Sequence, residues 1–208
     1  MSPKAADPAL RAELIETAAR LVAAEGRAGL TLRGLAREVG TSTMAIYTHF
    51  GGMDELRREV RREGFARLQQ HLEAVKVTRD PVADLSLLGK AYYVSGIAAP
   101  NLYRAMFSDG PIDDVDFGTG LDSFMVLVNA VARCMDAGRL RLGEPPEHAV
   151  QLWALSHGVV SLQLAQLLPP EQALDCLEST AQNLLLAWGD DPKATARSVR
   201  NARRRLIR

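Results

Sequence analysis

The sequence predicts an all-α protein of about nine helices. Three observations carry that prediction. Apolar residues recur at three- and four-residue spacing in segment after segment, and no stretch alternates with the period of two that marks a strand. Several segments open on Asp-Pro, Thr, Ser or Pro and close on Gly, which is how helices are punctuated. Hydrophobic residues make up 47% of the 208, enough to bury a sizeable core, and the formal net charge is zero.

In chain order, Asp7-Pro8 starts the first helix, with Asp as cap and Pro at the first helical position. Leu14, Ala18, Leu21 and Val22 form its apolar stripe, and Gly26 ends it. Lys4 and Arg11 are either in reach of a DNA backbone or ordinary solvated charges. Thr31 caps a second helix whose apolar face is Leu32, Leu35, Ala36 and Val39, and Gly40 stops it. Ser42 caps a third, which carries Ile46 and Phe50 inward. Two short helices joined by a tight turn make a helix-turn-helix, whose second helix presents N-terminal side chains to base edges in the DNA major groove. Those side chains are Thr41, Ser42, Thr43 and Met44.

The run Gly40-Thr41-Ser42, then Ala45-Ile46-Tyr47, then His49-Phe50, closely resembles the tetracycline-repressor-like (TetR) family of bacterial transcription regulators. The likeness covers roughly residues 8 to 68. It implies a three-helix DNA-binding head over residues 1–53, a helical ligand-binding and dimerisation domain over 54–192, and leaves a basic tail at 193–208. It also implies that Thr31, Arg33, Tyr47 and His49 hold phosphates, giving register without sequence information. One position departs from the pattern. The family often has a phosphate-contacting lysine at the start of the next helix, where this chain has Met53.

After Gly51-Gly52 a long helix runs from about Asp54 to Val75, with Leu56, Val60, Leu68 and Leu72 on one side. Its arginines and glutamates alternate, and Glu59 with Arg62 and Glu63 with Arg67 suit surface pairs. By the resemblance this helix links head to second domain and is the lever for any signal. Asp80-Pro81 opens a helix to about residue 99, and Pro100 opens a short one. Residues Ser108 to Gly120 are rich in Asp, Gly and Pro and read as a loop. Asp109, Asp113, Asp114 and Asp116 do not have EF-hand spacing, so a solvated acidic loop is expected and no metal site. Three more helices follow, at about 121–137, 147–168 and 171–188. Cys134 and Cys176 fall in apolar helical segments and read as two buried free thiols in a reducing cytoplasm.

The segment Trp153 to Gly158 resembles the Trp-His-Gly signature of one class of TetR C-terminal domains, and Leu102 to Phe107 (LYRAMF) fits that class. Trp153 and His157 share a helix face. His157 either lends a hydrogen bond to a small molecule or bonds a buried group that fixes packing. Tyr92, Tyr103, Met106, Phe107, Phe124, Met125, Trp153 and His157 are the candidate ligand-binding residues, and each is also an ordinary core residue type. Few aromatics and no pattern of buried charge point to a moderately apolar, neutral effector. The last two of these helices are apolar over much of their surface and suit pairing with their copies in a homodimer.

Residues 193–208 carry seven cations and no acid, so the rest of the chain carries about seven net negative charges. The tail either adds attraction to phosphate or is a frayed solubilising end that docks on the acidic body. No run approaches membrane-spanning length and the N-terminus has no signal-peptide pattern, so a cytoplasmic protein with no membrane partner is expected. No nucleophile elbow, metal-ligand cluster or phosphate loop accompanies His157, Ser156 or the cysteines, so no enzyme and no cofactor is expected beyond an unknown effector. The expected function is a ligand-responsive DNA-binding regulator, a repressor that meets a near-palindromic operator as a homodimer. The alternative is a helical adaptor for other proteins with a vestigial helix-turn-helix.

Overall fold

A computed structural model describes residues 7–108 and 114–206. Ten helices and no strand occur among them: α1 Pro8–Gly29, α2 Leu32–Val39, α3 Thr43–Phe50, α4 Met53–Glu73, α5 Pro81–Ala98, α6 Pro100–Ser108, α7 Asp114–Asp136, α8 Pro145–Leu164, α9 Pro170–Ala187 and α10 Pro192–Leu206. The helix beyond the expected nine is α10, which occupies the basic tail. None of the described helices is long and apolar enough to cross a membrane.

The chain forms two compact units that interleave along the sequence: Met1–Arg67 with Ala99–Thr119, and Leu68–Ala98 with Gly120–Arg208. In the first, α1 to α3 close around Leu14, Ala18, Leu35 and Ile46, all fully or almost fully buried. The helix starts are those the sequence marks. Asp7 accepts from the Ala9 amide at 2.9 Å, with Pro8 at the first helical position. At Gly26 φ is +71° and the helical path breaks, so α1 is two helical pieces in sequence. The carbonyl of Arg27, just past that break, accepts from the Arg57 guanidinium at 3.3 Å. Helix α6 packs along α1 and adds Leu102 and Ala105 to the same core. Met53, where the sequence departs from the family pattern, is the first residue of α4 and packs against this core.

The second unit is built on α5, which packs against α8, α9 and α10. A helix contacted on several sides must be apolar over most of its circumference, and Val82, Leu85, Leu88 and Tyr92 are all buried. Several buried residues are ionic, contrary to the expectation of no buried charge. Asp84 accepts from the Thr78 amide (2.7 Å), Arg133 (3.1 Å) and Arg205 (2.6 Å). Glu178 accepts from Arg203 at 2.8 Å and pairs with Lys90 at 3.4 Å. Asp190 takes a forked pair from Arg139 at 2.6 and 2.8 Å. Ser198 and Asn201 donate to Asp80 at 2.7 and 3.0 Å.

The bonds from Ser198, Asn201, Arg203 and Arg205 anchor α10, together with the buried Val199 and Ala202, so the tail is a docked helix rather than a frayed end. Helix α7 starts seven residues earlier than the expected Leu121, inside the stretch read as a loop. Asp109 and Asp113 lie outside the described residues, and no group of three or more metal-ligating side chains occurs among those described. Of the two cysteines only Cys134 is buried, which pushes its thiol pKa up to about 12; Cys176 is exposed because its side of α9 faces outward.

Candidate functional site

The candidate nucleic-acid interface is built from backbone requirements. Helix α2 leaves its first amides unsatisfied, and the Thr31 hydroxyl accepts from the Gly34 amide at 3.1 Å. At its other end Gly40 takes φ +71° and ψ +32°, a left-handed conformation that a Cβ would penalise. The Thr41 amide then bonds back to the Ala36 carbonyl at 2.9 Å and fixes the turn. Ser42 repeats the cap on α3, accepting from the Ala45 amide at 3.1 Å. Each capping oxygen accepts, so each hydroxyl hydrogen stays free to donate to a phosphate or a base acceptor.

Helical periodicity divides α3 into two faces. Ile46 and Phe50 are buried. Met44 is 70% exposed and Tyr47 47% exposed, with Thr48 beside them and Thr43 half-buried. The caps Thr31 and Ser42 are exposed, as is Arg33 on α2, and Thr41 is half-buried. No acidic residue stands in α3, so nothing on that helix repels phosphate.

His49 differs from the others. It is half-buried, on a flank of α3 away from Met44 and Tyr47, with its ring 5.9 Å from that of Phe50. Its Nδ1 is buried without a hydrogen-bond partner among the described residues. Thr48 and Arg37, which the sequence reading does not name, are exposed as well. Thr48 lies four residues after Met44, so strict use of the helical period would have found it. Arg11 is drawn inward: it pairs with Glu59, and its guanidinium lies 5.5 Å from the Phe50 ring centre. Lys4 lies outside the described residues.

The eight candidate ligand-binding residues fall into two groups. In the second unit the Tyr92 hydroxyl is 3.3 Å from His157 Nδ1. Trp153 lies 6.2 Å from His157 and meets Phe124 edge-on at 6.2 Å. Trp153 and Met125 are each 40% exposed, on the outer side of α8 and α7. Burial lowers the His157 pKa, so the imidazole is neutral at pH 7 and has one donor and one acceptor nitrogen. In the first unit Tyr103 and Phe107 meet edge-on at 5.2 Å, Phe107 also meets Phe65, and Met106 covers Gly64.

A family model described as bacterial regulatory proteins of the tetR family matches residues 14–60. A second, described as a tetracyclin repressor-like C-terminal domain, matches residues 85–184, which include Trp153, His157 and Gly158. A solved protein of unknown function from Rhodococcus sp. RHA1 is 24% identical with a TM-score of 0.73, over 91% of this chain and 100% of that one. PfmR, a TetR family transcriptional regulator from Thermus thermophilus, is 18% identical with a TM-score of 0.71, over 83% of this chain and 96% of its own. AibR, solved in complex with isovaleryl coenzyme A and operator DNA, is 16% identical with a TM-score of 0.67, over 80% and 94%. At these identities the solved structures establish a shared fold. No curated protein matches the sequence.

Proposed function

This chain belongs to the TetR family of transcriptional regulators, and on that premise we propose that it is a repressor that binds a near-palindromic operator as a homodimer and releases it in response to a small molecule. The observation that carries the reading is the outer face of α3, where Met44, Tyr47 and Thr48 stand clear of the core with no acid on the helix. Thr41, Ser42, Thr43 and Met44 read base edges and thymine methyls, while Thr31, Arg33, Tyr47 and His49 hold phosphates. To these we add the exposed Thr48 for base edges and the exposed Arg37 for phosphates. His49 serves from the edge of the interface, with its second nitrogen kept inside the head. Residues 1–53 form the DNA-reading part, and residues 54–192 the ligand and dimer part.

The departure at Met53, which removes a family phosphate contact, is the one feature that favours the adaptor reading. Its packing against the core of the head gives an apolar residue there a structural reason, which supports an intact interface. The homodimer forms through α8 and α9, whose exposed apolar residues include Val150, Trp153, Leu162, Leu174 and Leu186. Two copies of α3 then meet successive turns of DNA. The effector binds beside Tyr92 and His157, where a neutral imidazole offers one hydrogen bond to a moderately apolar molecule. AibR carries a small molecule and operator DNA on the same fold. Ligand binding favours a head spacing that no longer fits both half-sites, so DNA affinity falls by population shift.

Gel shifts on an operator selected from genomic DNA test the reading. Tyr47→Ala should weaken binding to all sequences about tenfold with the fold intact, the loss of one well-placed phosphate contact. Unchanged affinity would remove Tyr47 from the interface.

A further inference from the structure

We propose that the outer face of α10 is a second phosphate-binding surface, which holds duplex DNA by its backbone independently of the helix-turn-helix. Lys193, Arg197, Arg200 and Arg204 are all exposed. Their spacing of four, three and four residues puts them on one stripe of the helix. The ion pairs of α10 run through Arg203 and Arg205, and among the described residues no carboxylate pairs with the four stripe cations. The opposite face is fixed by the buried Thr195, Ser198, Val199 and Ala202, so the stripe is held on a docked helix.

The dimensions and chemistry fit a nucleic-acid backbone. Eleven residues of helix rise about 16 Å, which spans about five phosphates of one strand at 3.4 Å each. Three of the four cations are arginines, whose forked donors match phosphate oxygens. No aromatic or large aliphatic side chain interrupts the stripe. A protein partner would need such anchors, whereas phosphate contacts need only charge and donors. Insertion into a lipid surface would need an apolar face, and the apolar face of α10 is already buried in the unit.

The consequence is a regulator with two grips on DNA. One grip reads sequence, and the other adds sequence-independent affinity that keeps the protein on neighbouring duplex while it searches or while its heads are released.

The test uses a fluorescent duplex of scrambled sequence, about 20 base pairs long, with the salt raised from about 50 to 200 mM. Full-length R197Q/R200Q/R204Q is compared with wild type and with K76Q/R79Q/R141Q, which removes the same charge from other exposed positions. The first variant should bind about tenfold more weakly at low salt, and its log–log salt slope should be shallower by about 2 to 3, near 0.9 per lost phosphate contact. The second should keep the wild-type slope. Thermal melts check that both remain folded.

An unchanged slope in the first variant overturns the proposal, as does an equal loss in both variants, which would mean bulk charge alone. Stripe-dependent binding to anionic lipid vesicles with no stripe-dependent binding to duplex also overturns it. Because the duplex has no operator, the result stands apart from the repressor reading. If that reading alone fails, no operator is found but the difference between the variants persists; if the stripe alone fails, an operator is found and R197Q/R200Q/R204Q keeps the wild-type slope.

Discussion

Ser42 has two tasks on one oxygen, and they can be separated. Its Oγ accepts from the Ala45 amide, and the proposed interface needs its hydroxyl to face DNA. Aspartate caps a helix about as well as serine but brings a negative charge. Ser42→Asp should therefore leave the unfolding midpoint within about 0.5 kcal/mol of wild type, while gel shifts show a loss of DNA binding of at least about tenfold, equivalent to 1.4 kcal/mol or more. Equal loss of stability and binding would mean that the residue acts only as a cap. The head was legible in the sequence because its signals are local: Thr31, Gly40, Ser42 and Gly51 each act within five residues of their own position. His49 was less legible. Its motif neighbours suggested an exposed phosphate ligand, but the helical period sets it on the flank beside Ala45, half out of solvent.

At the scale of elements, α10 shows what a sequence pattern conceals. Its inner face mixes small polar and apolar residues, Thr195, Ser198, Val199 and Ala202, so no stripe of large apolar residues announces a docked helix. The partners that hold it are far away in sequence; Ser198 donates to Asp80 across 118 residues. Acid should loosen this attachment. Burial raises the Asp84 pKa, but hydrogen bonds from Thr78, Arg205 and Arg133 outweigh it and hold the carboxyl below its ordinary value. Asp80 behaves alike: burial raises it, and Ser198, Asn201, the Ala83 amide and Arg139 lower it further. In both cases the unfolded chain binds the proton more tightly than the folded one. The stability they contribute is complete above the unfolded pKa of about 4 and is lost as pH falls through the lower folded values.

Asp84→Asn should cost about 2 kcal/mol at pH 7, less than breaking a fully buried pair because Arg133 and Arg205 keep some solvent. The gap between the thermal midpoints of variant and wild type should narrow steadily below pH 4. A gap independent of pH would assign the loss to packing. The membership of α6 was equally hidden. Nothing local to Pro100–Ser108 says that Leu102 and Ala105 complete the core of the head, and the ligand candidates Tyr103, Met106 and Phe107 go with them.

Repression through a two-fold operator requires two chains. Apolar residues left exposed on α8 and α9, Leu174 and Leu186 among them, are the surface we propose for a second copy. Sedimentation should show a dimer at micromolar concentration, and L174E/L186E should sediment as a folded monomer with much weaker operator binding. A wild-type monomer would remove the basis for a two-fold operator. Sequence-specific repression through α3 is tested by selecting bound fragments from the source genome and footprinting the protein on them. The account predicts one protected near-palindrome whose half-sites lie about one helical turn of DNA, or a multiple of it, apart. No enriched site at low salt, with scrambled duplex bound as tightly as any genomic fragment, would contradict it.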